Sequence, residues 1–178
     1  VQLSFMTYLA AFYLNQGVVP GPQGSGHPTG AVYRAFKAID KYLVVVADND
    51  AHWAKLCQAL GRDDWLNDPS LKTARERKER KAVIVAELER IFAGDTVAAW
   101  CSRLSQFGVP CSPINSLADI LDDPHVRQAL QQVIELPGRA KPWYSVGSPL
   151  RINGVRPTAT RVPPEFNQDG PTYMGDGS

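Results

Sequence analysis

His27 is the residue of this chain best suited by its surroundings to meet a ligand. It lies in the run Gly24-Ser25-Gly26-His27-Pro28-Thr29-Gly30, where glycines let backbone approach a bound molecule closely and Pro28 stiffens the exit. An imidazole in such a loop can donate a hydrogen bond to a substrate carboxylate. No base stands near it in sequence, so a general-acid role is not assigned. The same composition also suits a plain linker between two units, and on spacing alone the linker is the simpler reading. Gly24, Gly26, His27 and Pro28 are therefore carried forward as candidates for a substrate loop, and no residue is assigned as catalytic.

Other chemistry is thinly represented. Cys57, Cys101 and Cys111 are odd in number and far apart. They form no CxxC pair and have no histidine cluster beside them, so no metal site is expected and reduced, buried thiols are. That pattern suits a cytoplasmic setting. His27, His52 and His125 are remote from one another. Asp48 with Asp50, and Asp122 with Asp123, are paired carboxylates, but each pair sits at a helix edge where capping is the ordinary task. The loop Gly24-Ser25-Gly26 lacks the lysine and spacing of a phosphate-binding motif, and there is no GxSxG or HExxH. Nineteen basic residues against eighteen acidic ones give a net charge of +1, which offers nothing to nucleic acid. No apolar run approaches the ~20 residues of a membrane span.

The elements that must hold these residues read as α+β. Leu3 to Asn15 is a helix apolar on nearly every side, which calls for burial by something else, and Gly17 stops it. A Gly/Pro linker follows to residue 30. Ala31 to Ala47 reads as two strands joined around Ile39-Asp40-Lys41, where Asp-Lys replaces the Asp-Gly of a tight primed turn. Asp50 is expected to cap a helix carrying Trp53, Leu56, Cys57 and Leu60, closed by Gly61.

Thr73-Ala74-Arg75-Glu76 is a capping box opening a helix that runs through Phe92 to Gly94. Its RERKERK run is expected to be a solvated face. Asp95 is expected to cap a further helix bearing Val97, Trp100, Cys101 and Leu104. Val109 to Ile114, broken by two prolines, is at best an edge strand. A second cap opens at Ser116, and Asp123-Pro124 starts another turn. Val133 to Leu136 reads as a strand, after which prolines recur to Pro171 and an extended arm is expected. Trp53, Trp65 and Trp100 are expected in the core.

In order along the chain, these motifs resemble family III acyl-CoA transferases, the group of formyl-CoA and carnitine CoA-transferases and α-methylacyl-CoA racemases. VQLSF resembles the stretch after that family's nucleophile region. GSGHPTGAVYRAFKAIDKYLVVVADNDAHWAKLCQALGR resembles the start of its small domain. Asn67-Asp68-Pro69 and the Arg-rich helix follow in order, and GDTVAAWCSRLSQFGVPCSPINSLADILDDPHV resembles its helix, Gly-Val-Pro, edge strand and Asp-Pro. SPLRINGVRP and VPPEF resemble its return arm. The tail GPTYMGDGS departs from the usual closing helix.

The resemblance implies a two-domain subunit. Residues 1–30 would be helix and linker of a large Rossmann-like domain, 31–130 a small inserted α+β domain, and 131–178 an extended arm returning to the large domain. Two such subunits would interlock as a homo-oligomer. It implies an enzyme moving CoA between carboxylic acids through an aspartyl-CoA intermediate, with a CoA thioester as substrate and no bound cofactor. The aspartate would lie upstream of Val1, so this chain is expected to be a fragment without activity alone. The alternatives are an acyl-CoA racemase of the same superfamily and a non-catalytic binding or dimerisation module. Neither nucleic acid nor membrane is an expected partner.

Overall fold

The structure is a computed structural model describing residues 2–129, 133–136, 143–157 and 166. Its contacts divide the chain into two units, Val1–Ile114 and Asn115–Ser178.

The first unit opens with helices α1 (Gln2–Phe5) and α2 (Thr7–Gln16). Gly17 ends α2 at φ 67°, its N–H donating to the Tyr13 carbonyl. That left-handed stop is the one its sequence calls for. No residue of α2 is buried, and Tyr13 and Leu14 stand exposed beside Phe5 and Met6.

Strands β1 (Tyr33–Lys37), β2 (Tyr42–Val46) and β3 (Cys111–Pro113) form an antiparallel sheet in that order. Phe36 pairs with Leu43, and Val45 with Cys111. Period-2 alternation sends Phe36, Leu43 and Val45 to the buried face. Three helices cover that face: α3 (Asp50–Leu60), α6 (Lys81–Phe92) and α7 (Val97–Gln106). They contribute Leu56 and Cys57, Ile84, Leu88 and Phe92, and Val97, Trp100 and Leu104. Phe92 packs between Phe36 and Trp100 at centroid distances of 4.9 and 5.1 Å. The Trp100 indole donates to the Phe92 carbonyl at 2.9 Å, so its one polar atom is satisfied inside the core.

Between α3 and α6 lie α4 (Asp63–Leu66), a 3₁₀ turn (Pro69–Leu71) and α5 (Ala74–Glu79). Thr73 and Glu76 form the expected capping box, but the helix breaks at Arg80 before α6 begins. Two other caps fall one residue from their expected positions. Asn49, not Asp50, caps α3 by accepting from the His52 N–H, and Thr96, not Asp95, caps α7. In each case both neighbours are capping types. The one whose backbone is still extended takes the role, leaving Asp50 free to pair elsewhere.

The largest correction concerns the charge run. Arg77 is fully buried. Its guanidinium donates to the Leu71 and Lys72 carbonyls, both at 3.0 Å, and to the Asp50 carboxylate, and lies over the Trp53 ring. A guanidinium enters a core only where carbonyls and a carboxylate meet its fork of donors, and the last residue of the 3₁₀ turn and the residue after it supply two of them. Trp65 is only partly buried, stacked on Trp53 at 5.4 Å with the Arg62 guanidinium above it.

The β1–β2 connection uses its aspartate at long range. Asp40 accepts from the Val97 N–H at 2.9 Å, adding a remote cap to α7. That bond holds its carboxyl below the usual carboxylate range.

The second unit contains α8 (Leu117–Asp122), capped by Ser116 and Asp119 in a reciprocal box. A π-helical turn (His125–Ala129) follows, and the Asp123 side chain accepts from the His125 N–H. Strands β4 (Val133–Leu136) and β5 (Trp143–Val146) pair antiparallel. Ile152 and Val155 bridge across Asn153-Gly154, both at positive φ. Asn-Gly at positive φ is the two-residue hairpin turn that matches strand twist. The section read from sequence as a strand at Val133 to Leu136 within an extended arm thus contains two local antiparallel pairings among its described residues.

Candidate functional site

Residues 24–30 leave the linker and turn back along β1. Gly24 sits at φ 58°, where a side chain is strained. Gly26 closes a turn onto the Gln23 carbonyl, and a Cβ there would lie 3.1 Å from that oxygen. The loop is fastened to β1 twice: the His27 N–H donates to the Tyr33 carbonyl at 2.8 Å, and Ser25 Oγ accepts from the Ala35 N–H at 3.2 Å. A third tie comes from α6, where Lys81 Nζ donates to the His27 carbonyl at 2.9 Å. Gly30 packs under Asp48 so tightly that any Cβ would collide with the carboxylate.

The His27 ring is the middle layer of a three-ring stack. It lies 5.0 Å from Tyr33 at 10° and 5.6 Å from Tyr8 at 22°. Its Nδ1 receives the Thr29 N–H at 3.3 Å and contacts the Thr29 hydroxyl at 2.8 Å. With Nδ1 as acceptor of that backbone N–H, the ring hydrogen lies on Nε2. The loop therefore fixes an imidazole plane and leaves Nε2–H as the available donor.

Two clefts flank the loop. One, about 270 Å³, is lined by Tyr8, Leu9, Pro20, Gly21, Gly26 and Pro28, among others. The other, about 510 Å³, is lined by Ser25, Arg34, Lys37, Tyr42 and Glu89, among others. Arg34 and Glu89 face each other there at 3.7 Å, beyond good hydrogen-bond length.

Of the sequence candidates, Gly24, Gly26, His27 and Pro28 thus share one loop, with Gly26 and Pro28 on a cleft wall. The other candidate groups are dispersed. Asp122 pairs with Arg127, Asp123 caps the π-helical turn, and Asp50 pairs with Arg77. Burial pushes the Cys57 thiol up to about 12. Burial, with Cys111 nearby, pushes the Cys101 thiol up to about 11, so both are poor nucleophiles. No three metal-ligating side chains cluster, and no helix is long and apolar enough to cross a membrane, among the described residues. Sequence reading missed Tyr8, Tyr33 and Lys81. The aromatic residues read as ordinary element-formers, and Lys81 lay in a run read as solvated.

Residues 1–170 match CoA-transferase family III. The chain belongs to that family. An acyl-CoA transferase of Fusarium pseudograminearum is 35% identical over 136 residues, 76% of this chain and 30% of its own length. A succinyl-CoA:mesaconate CoA-transferase of Haloarcula marismortui is 32% identical over 149 residues, 82% of this chain and 36% of its own. A formyl-CoA:oxalate CoA-transferase of Escherichia coli O157:H7 is 32% identical over 115 residues, 64% of this chain and 27% of its own. Among solved structures, a CaiB/BaiF family protein of Brucella suis superposes with a TM-score of 0.78 at 26% identity, over 96% of this chain and 44% of that one. The chain thus spans about a third of the length of the curated relatives it matches.

Proposed function

We propose that this chain supplies the loop side of an acyl-transfer site in a CoA-transferase that moves CoA between carboxylic acids. In that reading residues 31–130 are the small inserted domain, and 1–30 and 131–178 belong to a larger Rossmann-like domain. An aspartate carboxylate, contributed by the part of the subunit outside this third, attacks the acyl-CoA carbonyl and expels CoA thiolate. The thiolate then attacks the aspartyl carbonyl of the mixed anhydride, releasing the first acid and leaving aspartyl-CoA. The acceptor carboxylate repeats the sequence in reverse. Splitting the transfer this way replaces one difficult step by easier ones.

Both intermediates are prone to hydrolysis, and the Gly24–Thr29 stretch is proposed to shield them from water. The observation that carries this is the His27 arrangement: a ring clamped between two tyrosines, with Nδ1 engaged by Thr29 and Nε2–H left to meet a substrate oxygen. The exposed apolar face of α2, where Met6, Leu9, Tyr13 and Leu14 border a hollow, is proposed to be covered in the assembled oligomer. Sedimentation should show concentration-dependent association of the purified chain. A monomer across a hundredfold concentration range would remove that part.

The 178-residue polypeptide alone should not transfer CoA from succinyl-CoA to any carboxylate, and measurable transfer would overturn the division of labour. In a complete subunit carrying these residues, His27→Ala should raise hydrolysis relative to transfer. His27→Phe, which keeps the stack but not the donor, should behave the same way. Melting temperatures should move by only a few degrees. If His27→Phe transfers normally, the ring is structural, and exchange of the substrate α-proton in D₂O without transfer would favour the racemase.

A further inference from the structure

We propose that Lys81 is the positioning residue of the Gly24–Thr29 loop, the one hydrogen bond among the described residues that holds the His27 backbone to the helical layer rather than to the strand beside it. The inference rests on the reading of that loop as the acyl-site cover, but its test does not.

Lys81 stands where local chemistry opposes a cation. It is the first residue of α6, which has no side-chain cap at Arg80. Lys81 therefore sits between the α6 N-terminus, which repels an ammonium, and the C-terminus of α5, which also ends at Arg80 and attracts one, so the two helix ends offset each other. It is also half-buried, and no ion pair of Lys81 is found among the described residues. Arg34 from β1 and Lys78 from α5 add repulsion, while Asp48 beyond β2 is the attractive neighbour. Burial first, and Arg34 second, hold its pKa below the usual lysine value. A residue that breaks the local rule without local compensation is expected to serve the site. Here the compensation is the 2.9 Å bond to His27 O, from 54 residues away in sequence.

The other loop ties explain why this one matters. His27 N–H and Ser25 Oγ both bond to β1, only six and ten residues on. With these alone the loop backbone is hydrogen-bonded to one strand only, and Tyr8 of α2 adds a ring contact rather than a hydrogen bond. Lys81 adds a second anchor on a different element, on the backbone of the residue whose ring must be aimed. Nζ passes beside Gly26, where a Cβ would lie 3.9 Å away, an ordinary contact distance.

Amide hydrogen exchange on the purified chain tests this directly. The His27 amide, bonded to Tyr33 O, reports on the loop, and the Ala47 amide, bonded to Val32 O, reports on the sheet. Lys81→Met should speed His27 exchange on the order of tenfold relative to Ala47, the scale of losing a charge-assisted bond. Lys81→Arg should restore protection. In the unaltered chain the His27/Ala47 ratio should rise as pH climbs through the lowered lysine pKa, whereas in Lys81→Arg it should stay flat. Unchanged His27 exchange in Lys81→Met, equal acceleration at Ala47, or a pH-independent ratio in the unaltered chain would each overturn the proposal. If the exchange results hold while His27→Phe transfers normally, Lys81 clips a structural loop and only the acyl-site reading falls.

Discussion

Replacing Arg77 by methionine probes the least expected feature of the core. Methionine preserves the apolar stem over Trp53 and removes the fork of donors. Replacing a buried ion pair by apolar groups is often neutral, because both charges leave the interior together. That does not apply here. Asp50 is 68% exposed on its side chain while Arg77 is 1%, so the carboxylate simply returns to water. The cost falls on the carbonyls. Leu71 is buried, and its oxygen loses a 3.0 Å donor with little chance of replacement. The Lys72 oxygen, on an exposed residue, is partly rescued by water. The Asp48 carbonyl loses a longer, 3.4 Å donor as well. Counting one unsatisfied buried acceptor in full and two in part, the loss is about 2–4 kcal/mol. Urea unfolding of the chain should show the midpoint falling with no change of slope. Arg77→Lys should lie between, since one ammonium cannot reach two carbonyls and a carboxylate at once. Arg75→Met, two residues earlier in the same run and exposed, is the control and should not shift the midpoint. A loss under about 1 kcal/mol for Arg77→Met would refute the acceptor argument, as would equal losses at Arg75 and Arg77.

Two further substitutions follow from close contacts. Gly30→Ala drives a methyl against Asp48, whose carboxylate oxygens lie 1.9 Å from the ideal Cβ position. The melting temperature should fall by several degrees and recover in Gly30→Ala/Asp48→Ala, and additive losses in the double variant would exclude the clash. Asp40 is held below the usual carboxylate range chiefly by the Val97 N–H. Its contribution is complete above the ordinary carboxylate pKa and disappears as pH falls through the lowered one. Asp40→Asn should therefore melt a few degrees lower at pH 7 and converge with the parent in acid. Parallel melting curves down to pH 2 would show that the carboxylate charge is not what caps α7.

What the sequence made legible was local. The stop at Gly17, the boxes at Thr73 and Ser116 and the β1–β2 pairing each depend on residues within a few positions of one another. Periodicity and capping chemistry therefore report them directly. The misplaced caps at Asn49 and Thr96 show the grain of that method. Two adjacent capping types compete, and only the backbone angle of the residue that stays extended decides between them. Arg77 was illegible for another reason. Seven residues of alternating charge look solvated unless one knows that carbonyls at the end of a 3₁₀ turn, five and six positions earlier, aim inward.

The site follows the same division, and this bears on where its function resides. The loop was visible because glycine, histidine and proline in that order change what backbone can do. What makes it more than a linker is supplied from elsewhere, by Tyr8 from α2, Tyr33 from β1 and Lys81 from α6, together with Thr29 at the loop's own end. A linker needs none of these, and a loop left free would not fix a tautomer. The stack and the Thr29 bond together define one ring plane and one donor nitrogen. Lys81, acting on the carbonyl rather than the ring, sets where that plane sits relative to α6, as Tyr8 does relative to α2. Loop sequence alone therefore cannot determine whether His27 meets a substrate, and a relative that kept the loop but lost the cation at position 81 should hold its histidine less firmly.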